Sequence, residues 1–255
     1  MTLAIAMGLL AWGPVLLHPG AHHHADTRSL AGVANGINVA FCLPMLLAGM
    51  WGWRALGRST WPAALQTPWR WCFVCVAASA GLAAAYHLAP GNAGYLAAQA
   101  TAAGAFTLLL CGFLAERVDP RFGSRTACAA ALSVAGMAAG LAALSTSTDV
   151  RPLLLLQLMP VLLIPAGALS LPGRQTHKAD WLLILGLYAL ARVSDMGDAA
   201  VLRFTGGAVS GHALMHLSLA GVAAWLAYRV SAAASPEATE SAGLAQATTS
   251  LSTSG

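Results

Sequence analysis

Residues 71–89, from Trp71 to Ala89, read WCFVCVAASAGLAAAYHLA, without a formal charge and with one histidine near the far end. As a helix, a stretch of that length crosses the ~30 Å hydrocarbon core of a bilayer. Working outward, similar runs recur near 3–18, 33–52, 95–115, 126–145, 153–172, 181–202 and 211–230. Of the 255 residues, 58% are hydrophobic and 9% charged, against about 25% charged in a soluble domain. Too little polar surface exists to cover a water-facing globule. Ala, Leu and Gly dominate, and the alternating segments of an outer-membrane barrel are missing. The reading is an all-α polytopic membrane protein, a seven-transmembrane-helix bundle over 21–230. A hydrophobic segment, 1–20, precedes it, predicted as a helix over 3–18 and as retained, since it lacks the basic start of a cleaved signal. An Ala/Ser/Thr-rich tail, 231–255, cannot bury a core and is expected to be disordered.

Orientation follows from the loops, because basic residues favour the cytoplasmic side. Arg54, Arg58 and Arg70, then Arg117, Arg121 and Arg125, then Arg174, Lys178 and Arg229 fall on one side; the other holds Arg28, Arg151 and Arg203. The first side is read as cytoplasmic, with the carboxyl end inside and the 19–32 loop outside. The basic residues stand singly between apolar segments, which argues against nucleic acid as a partner.

With that orientation, the unusual polar residues gather at one level. His87 ends the 71–89 span, and His212 and His216 open the 211–230 span. Arg192, Asp195 and Asp198 occupy the second half of 181–202. Ionisable groups at membrane depth are costly and read as functional. Histidines at i and i+4 share a helix face. With a third from another helix they could bind zinc and leave a fourth position for water, whose pKa the metal lowers to about 7. A pair of interfacial histidines without metal is the plainer alternative. Asp195 could pair with Arg192 on the helix or, with Asp198, orient the metal histidines or act as acid/base. The loop histidines of His22-His23-His24 could scavenge metal, but the expectation is a solvated loop.

The remaining features have bland readings. The five cysteines, Cys42, Cys72, Cys75, Cys111 and Cys128, lie in or beside apolar runs and read as small buried hydrophobes, Cys72-x-x-Cys75 included. Tyr86, Trp51, Trp53, Trp61, Trp69 and Trp71 suggest an aromatic interfacial belt. Gly136 and Gly140 suggest close helix packing.

Several short motifs in order resemble bacterial members of the alkaline ceramidase family. They are His24-Ala25-Asp26-Thr27-Arg28 followed by Asn35 and Asn38-Val39; Ala85-Tyr86-His87-Leu88-Ala89-Pro90 with Asn92; Glu116-Arg117-Val118; Asp149-Val150-Arg151-Pro152; and Thr205-Gly206-Gly207 leading through Ser210-Gly211-His212 to His216. The resemblance spans about 22–230. It implies seven membrane helices and a zinc site whose ligands are His87, His212 and His216. It also implies hydrolysis of the amide bond of ceramide or a related membrane lipid to a sphingoid base and a fatty acid. The sequence departs from the family at three places. Ala83 stands where the family has a serine that supports the oxyanion, and Ala98 where it has a proton-moving aspartate. Phe41-Cys42 replaces a Ser-Asn pair. An oxyanion donor is typically worth about 10²–10³ in rate and a general acid/base about 10²–10⁴. Three functions therefore stand side by side. The first is a zinc-dependent intramembrane amide hydrolase of a bacterial inner membrane. The second is a catalytically silent, metal-retaining lipid-binding or receptor-like member. The third, a transporter using Arg192, Asp195 and Asp198, would call for internal repeats, which are not evident.

Overall fold

The computed structural model describes residues 8, 11, 13–17, 19–145 and 148–233. Among these the secondary structure is helical apart from two isolated β-bridges. The helices are α1 (Gly36–Leu56), α2 (Ala63–Leu88), α3 (Asn92–Arg117), α4 (Arg125–Leu144), α5 (Arg151–Ser170), α6 (Lys178–Met196), α7 (Asp198–Phe204) and α8 (Gly211–Ala232). Helices close every backbone hydrogen bond within the segment, which lipid requires. The described molecule is thus a polytopic helical membrane protein.

Six helices, α1 to α5 and α8, are long and apolar enough to cross a membrane. The expected seventh, α6, is long enough at 19 residues. Lys178, Asp180, Arg192 and Asp195 make it too charged to qualify by composition. The expected continuous helix over 181–202 is also broken. Gly197 ends α6, its N–H turned onto the carbonyls of Val193, Ser194 and Asp195, and α7 restarts at Asp198. The helix expected over 3–18 lies mostly outside the described residues. Of its described residues, Gly8 and Ala11 are helical, while 13–17 form no helix and carry one β-bridge, Leu16 to Asp149. There Leu17 N–H donates to the Thr148 carbonyl, and Val150 N–H to that of Val15. The tail from 234 on lies outside the described residues.

Neighbouring helices close a ring in the order α1, α2, α3, α5, α6, α8 and back to α1, with α4 packed outside against α3 and α5. That position explains why Gly136 and Gly140 meet nothing within 4 Å. They face away from the bundle, and the close packing expected of them is not found. The belt is also smaller than expected. Trp51, Trp53 and Trp71 are exposed, but Trp61 and Trp69 are buried in a cluster with Phe73, Phe113 and Trp181. Lipid tails are as apolar as these rings, so contact and shape rather than exclusion from water hold the cluster.

Local signals set the ends that carry the site. Ser210 caps α8, its hydroxyl accepting the Ala213 N–H at 3.0 Å. Gly211 follows because a Cβ there would sit 2.0 Å from the Ser194 carbonyl oxygen. Only glycine lets the start of α8 press against the α6–α7 break. Asn35, in the left-handed region at φ 50°, donates its side-chain amide to the His87 carbonyl at 2.9 Å and ties the start of α1 to the end of α2.

Candidate metal centre

The ends of α2, α6 and α8 bring His87, His212, His216 and Asp195 together. His87 Nε2 is 3.2 Å from His216 Nε2 and 3.3 Å from His212 Nε2. Two nitrogens bound tetrahedrally to one zinc at about 2.05 Å lie about 3.3 Å apart. The three rings meet edge to face, with centroids 5.1, 5.4 and 4.8 Å apart. Both α8 histidines thus reach the same nitrogen of His87, which stands at the centre of the group. His87 and His216 are buried.

The aspartates take distinct parts. Asp195 Oδ1 lies 2.8 Å from His212 Nδ1, while its Oδ2 faces Arg192 at 3.3 Å. The two readings of Asp195, helix pair and histidine partner, hold together. Such a carboxylate turns the other imidazole nitrogen, Nε2, toward a metal. Asp198 spends both oxygens on backbone: one accepts the His212 N–H, the other the Ala25 N–H, each at 2.8 Å.

Two donors join that sequence reasoning read otherwise. The loop histidines were expected in solvent, yet only His23 is exposed. His22 lies 2.9 Å from the Tyr86 hydroxyl and 2.7 Å from Asn92 Oδ1. Tyr86 is accordingly buried rather than part of an interfacial belt. His24 stacks at 4.1 Å from the His212 ring and 4.9 Å from the His87 ring. Burial, then the neighbouring His212, pushes its pKa down to about 4, leaving it neutral, the ligating form. Cys42, on α1, places Sγ 3.9 Å from His216 Nε2. Two compact sets of metal-ligating atoms result, each within 4.8 Å: His24–His87–His212 and Cys42–His87–His216. The expected set His87–His212–His216 is not one of them, because His212 and His216 each meet His87 but fall in different sets. Spacing along the chain signalled the α8 pair. The His22–His24 run was a weaker sign for His24, and nothing pointed to Cys42; the places of both depend on how the loop and α1 pack.

Imidazole and thiol donors suit zinc or a similar transition ion rather than magnesium or calcium. Two buried ring nitrogens, His24 Nε2 and His87 Nδ1, have no hydrogen-bond partner. A buried lone polar atom is costly, and a metal ion would relieve that cost at His24 Nε2 but not at His87 Nδ1, since His87 meets the α8 histidines through Nε2. The residues fit a metal.

The histidines line a cavity of about 430 Å³ inside the helix ring. Ala83 and Ala98 are on its wall, as are Gln99 and Gln157, joined by a 2.8 Å amide hydrogen bond. Through Phe106, Tyr188 and Leu219 it borders an apolar groove between α3, α5, α6 and α8 that continues past Ile164 and Trp181.

Fold and site together define a class: a helical membrane protein with a His/Cys cluster that could hold a metal at one end of its bundle. Compared with models of protein families, with curated proteins and with solved structures, the chain matches none.

Proposed function

We propose that the chain is a zinc-dependent intramembrane amide hydrolase of the ceramidase type, acting on ceramide or a related lipid amide. The observation that carries this reading is the junction of three histidines from two helices with a cavity that borders an apolar groove. His87, His212 and His216 would hold the ion. When bound, zinc acts as a Lewis acid toward a carbonyl oxygen and lowers the pKa of water. Asp195 keeps His212 in the tautomer that offers Nε2. Gln99 and Gln157 offer amide donors and acceptors to the polar part of a lipid, and the groove past Phe106 accepts an alkyl chain. The motif resemblance supplies the reaction type and the lipid class. By the motif resemblance the protein sits in a bacterial inner membrane; by the arginine distribution this cavity lies toward the outer face and the carboxyl end is cytoplasmic. A reporter fused after Arg229 should then behave as cytoplasmic, and an external signal would overturn the orientation.

A second reading, a silent metal-retaining lipid-binding or receptor-like protein, has its own support. Ala83 and Ala98 line the cavity, and neither can hold a proton or donate to an oxyanion. Asp198 already has both oxygens engaged. Asp195 likewise has both oxygens engaged, one by His212 and one by Arg192. Metal analysis of the detergent-purified protein beside His212→Ala, followed by a fluorescent-ceramide assay on the same samples, decides between the two. Stoichiometric zinc, lost in the variant, with metal-dependent turnover supports the hydrolase. Zinc without turnover supports the silent reading, and zinc-free wild type overturns both.

A further inference from the structure

We infer that His24 is a fourth protein ligand, which with His87, His212 and His216 closes the coordination sphere of a zinc-type ion. The inference rests on the metal reading above. It adds a donor from the loop before α1, so that the bundle does not hold the ion by its helices alone.

The geometry converges on it from three directions. The donor atom of His24 lies within 4.8 Å of those of His87 and His212. That limit is at most about 1.5 Å above the tetrahedral spacing; His216 lies outside this set, so rings must rotate for all four donors to meet. His24 Nε2 is buried and has no hydrogen-bond partner, so nothing in the described structure competes for its lone pair. The loop is also pinned on both sides of His24. Before it, His22 lies within hydrogen-bond distance of Tyr86 and Asn92. After it, Ala25 N–H donates to Asp198 at 2.8 Å and the Asp26 carbonyl accepts from Asn38 at 2.9 Å. Asp26, itself buried, pairs with Arg28 at 2.6 Å. A loop held at this many points keeps its histidine over the site.

Cys42 is the competing fourth donor, and its hydrogen bonding disfavours it. Its Sγ stands 3.9 Å from His216 Nε2, close to the roughly 3.6 Å of sulfur and nitrogen on one tetrahedral zinc. Its thiol is already engaged, however, donating to the Asn38 carbonyl at 3.3 Å, whereas His24 Nε2 has no partner.

Four protein ligands make a closed tetrahedral site, whereas catalytic zinc keeps one position open. The loop is then a lid made of a ligand. Water or substrate gains the fourth position only when His24 leaves.

The test uses the full chain in detergent, loaded with Co(II) as a spectroscopic stand-in for zinc. Wild type should give tetrahedral absorption bands that added azide does not perturb, without sulfur-to-cobalt charge transfer. In His24→Ala azide should shift those bands, and zinc affinity should fall by at least the roughly 10–100-fold lost with an outer-shell partner. His24→Cys, which keeps a ligand and so guards against misfolding of the alanine variant, should gain a thiolate charge-transfer band. His23→Ala, altered at the exposed neighbour, should match wild type. Azide shifts of equal size in wild type and His24→Ala, with equal zinc affinities, would overturn the inference and leave a three-histidine metal site intact. A thiolate band in wild type that disappears in Cys42→Ser would overturn it in favour of Cys42. Wild type that takes up neither Co(II) nor zinc would overturn both this inference and the metal reading beneath it.

Discussion

The two ends of the bundle both bury polar side chains, and they do so in opposite ways. At the end away from the histidines, unlike groups are matched. Glu116 accepts from the Gln175 and Thr176 N–H groups at 2.7 and 2.9 Å and from the Thr176 hydroxyl at 2.6 Å. Arg117 donates to the carbonyls of Leu171 and Thr176. Asp180 accepts from the His177 N–H and the Trp225 indole and faces Arg229 at 3.3 Å. At the other end, His24, His87, His212 and His216, with Cys42 beside them, crowd like groups together. In the first cluster opposite charges and backbone groups match one another and staple α3, α6 and α8, and what lacks a hydrogen-bond partner there is a pair of N–H donors, Arg117 Nε and Arg229 Nε. Neutral bases cannot neutralise one another, and two of their nitrogens are buried without partners. The difference separates a structural junction from a site arranged for a cation.

The comparison can be broken at several points, beginning with the largest expected effect. Asp180→Ala leaves Arg229 uncompensated where the aspartate is buried, and removal of one partner from a buried pair costs about 3–5 kcal/mol. Denaturant unfolding in detergent micelles should register that loss, while zinc stoichiometry per folded protein stays at the wild-type value. A loss of zinc from folded Asp180→Ala would tie the two ends together and refute the contrast. Gly211→Ala forces a Cβ onto the Ser194 carbonyl and should cost about 1–3 kcal/mol, the usual range for overpacking. Because Ser194 cannot move without α6, zinc affinity should fall in the same variant, as competition with a chromogenic chelator would measure.

Asp195→Asn sharpens the contrast from the other side. It leaves the fold in place but weakens the orienting of His212, and zinc affinity should drop by roughly 10–100-fold. Unchanged affinity would mean that the carboxylate serves Arg192 alone. The smallest effect belongs to Asp149→Ala. Asp149 accepts the Arg151 N–H at 3.1 Å, pairs with its guanidinium at 2.7 Å and accepts the Val15 N–H at 3.2 Å. Each partner is partly exposed, so the loss should be about 1 kcal/mol or less, seen as a small shift in thermal midpoint with zinc binding intact.

Much of this was legible along the chain. The apolar runs announced the helices, and the i, i+4 histidines with a third at the same level announced the cluster. Errors arose wherever a residue's neighbours came from another segment. Trp69 reads like an interfacial anchor, yet Gly112 leaves it room to turn inward beside Phe73 and Trp181. Gly136 and Gly140 read as a packing motif, yet α4 stands outside the ring and turns them away from it. The span expected over 181–202 hides a break at Gly197 that frees the Asp198 carboxylate for the start of α8 and the loop.

The sequence by itself determined the medium, the helical class and the level at which His87, His212 and His216 lie. Hydropathy and helix rise depend only on residue type and count, and they act along the chain. Tertiary structure alone decided that His24 leaves solvent for the cluster, that Cys42 faces His216, and that Asp195 serves Arg192 and His212 together. Those outcomes are contacts between segments distant in sequence. A side chain's burial and the lone pairs it meets are set by which helices pack around it, and no local pattern encodes that.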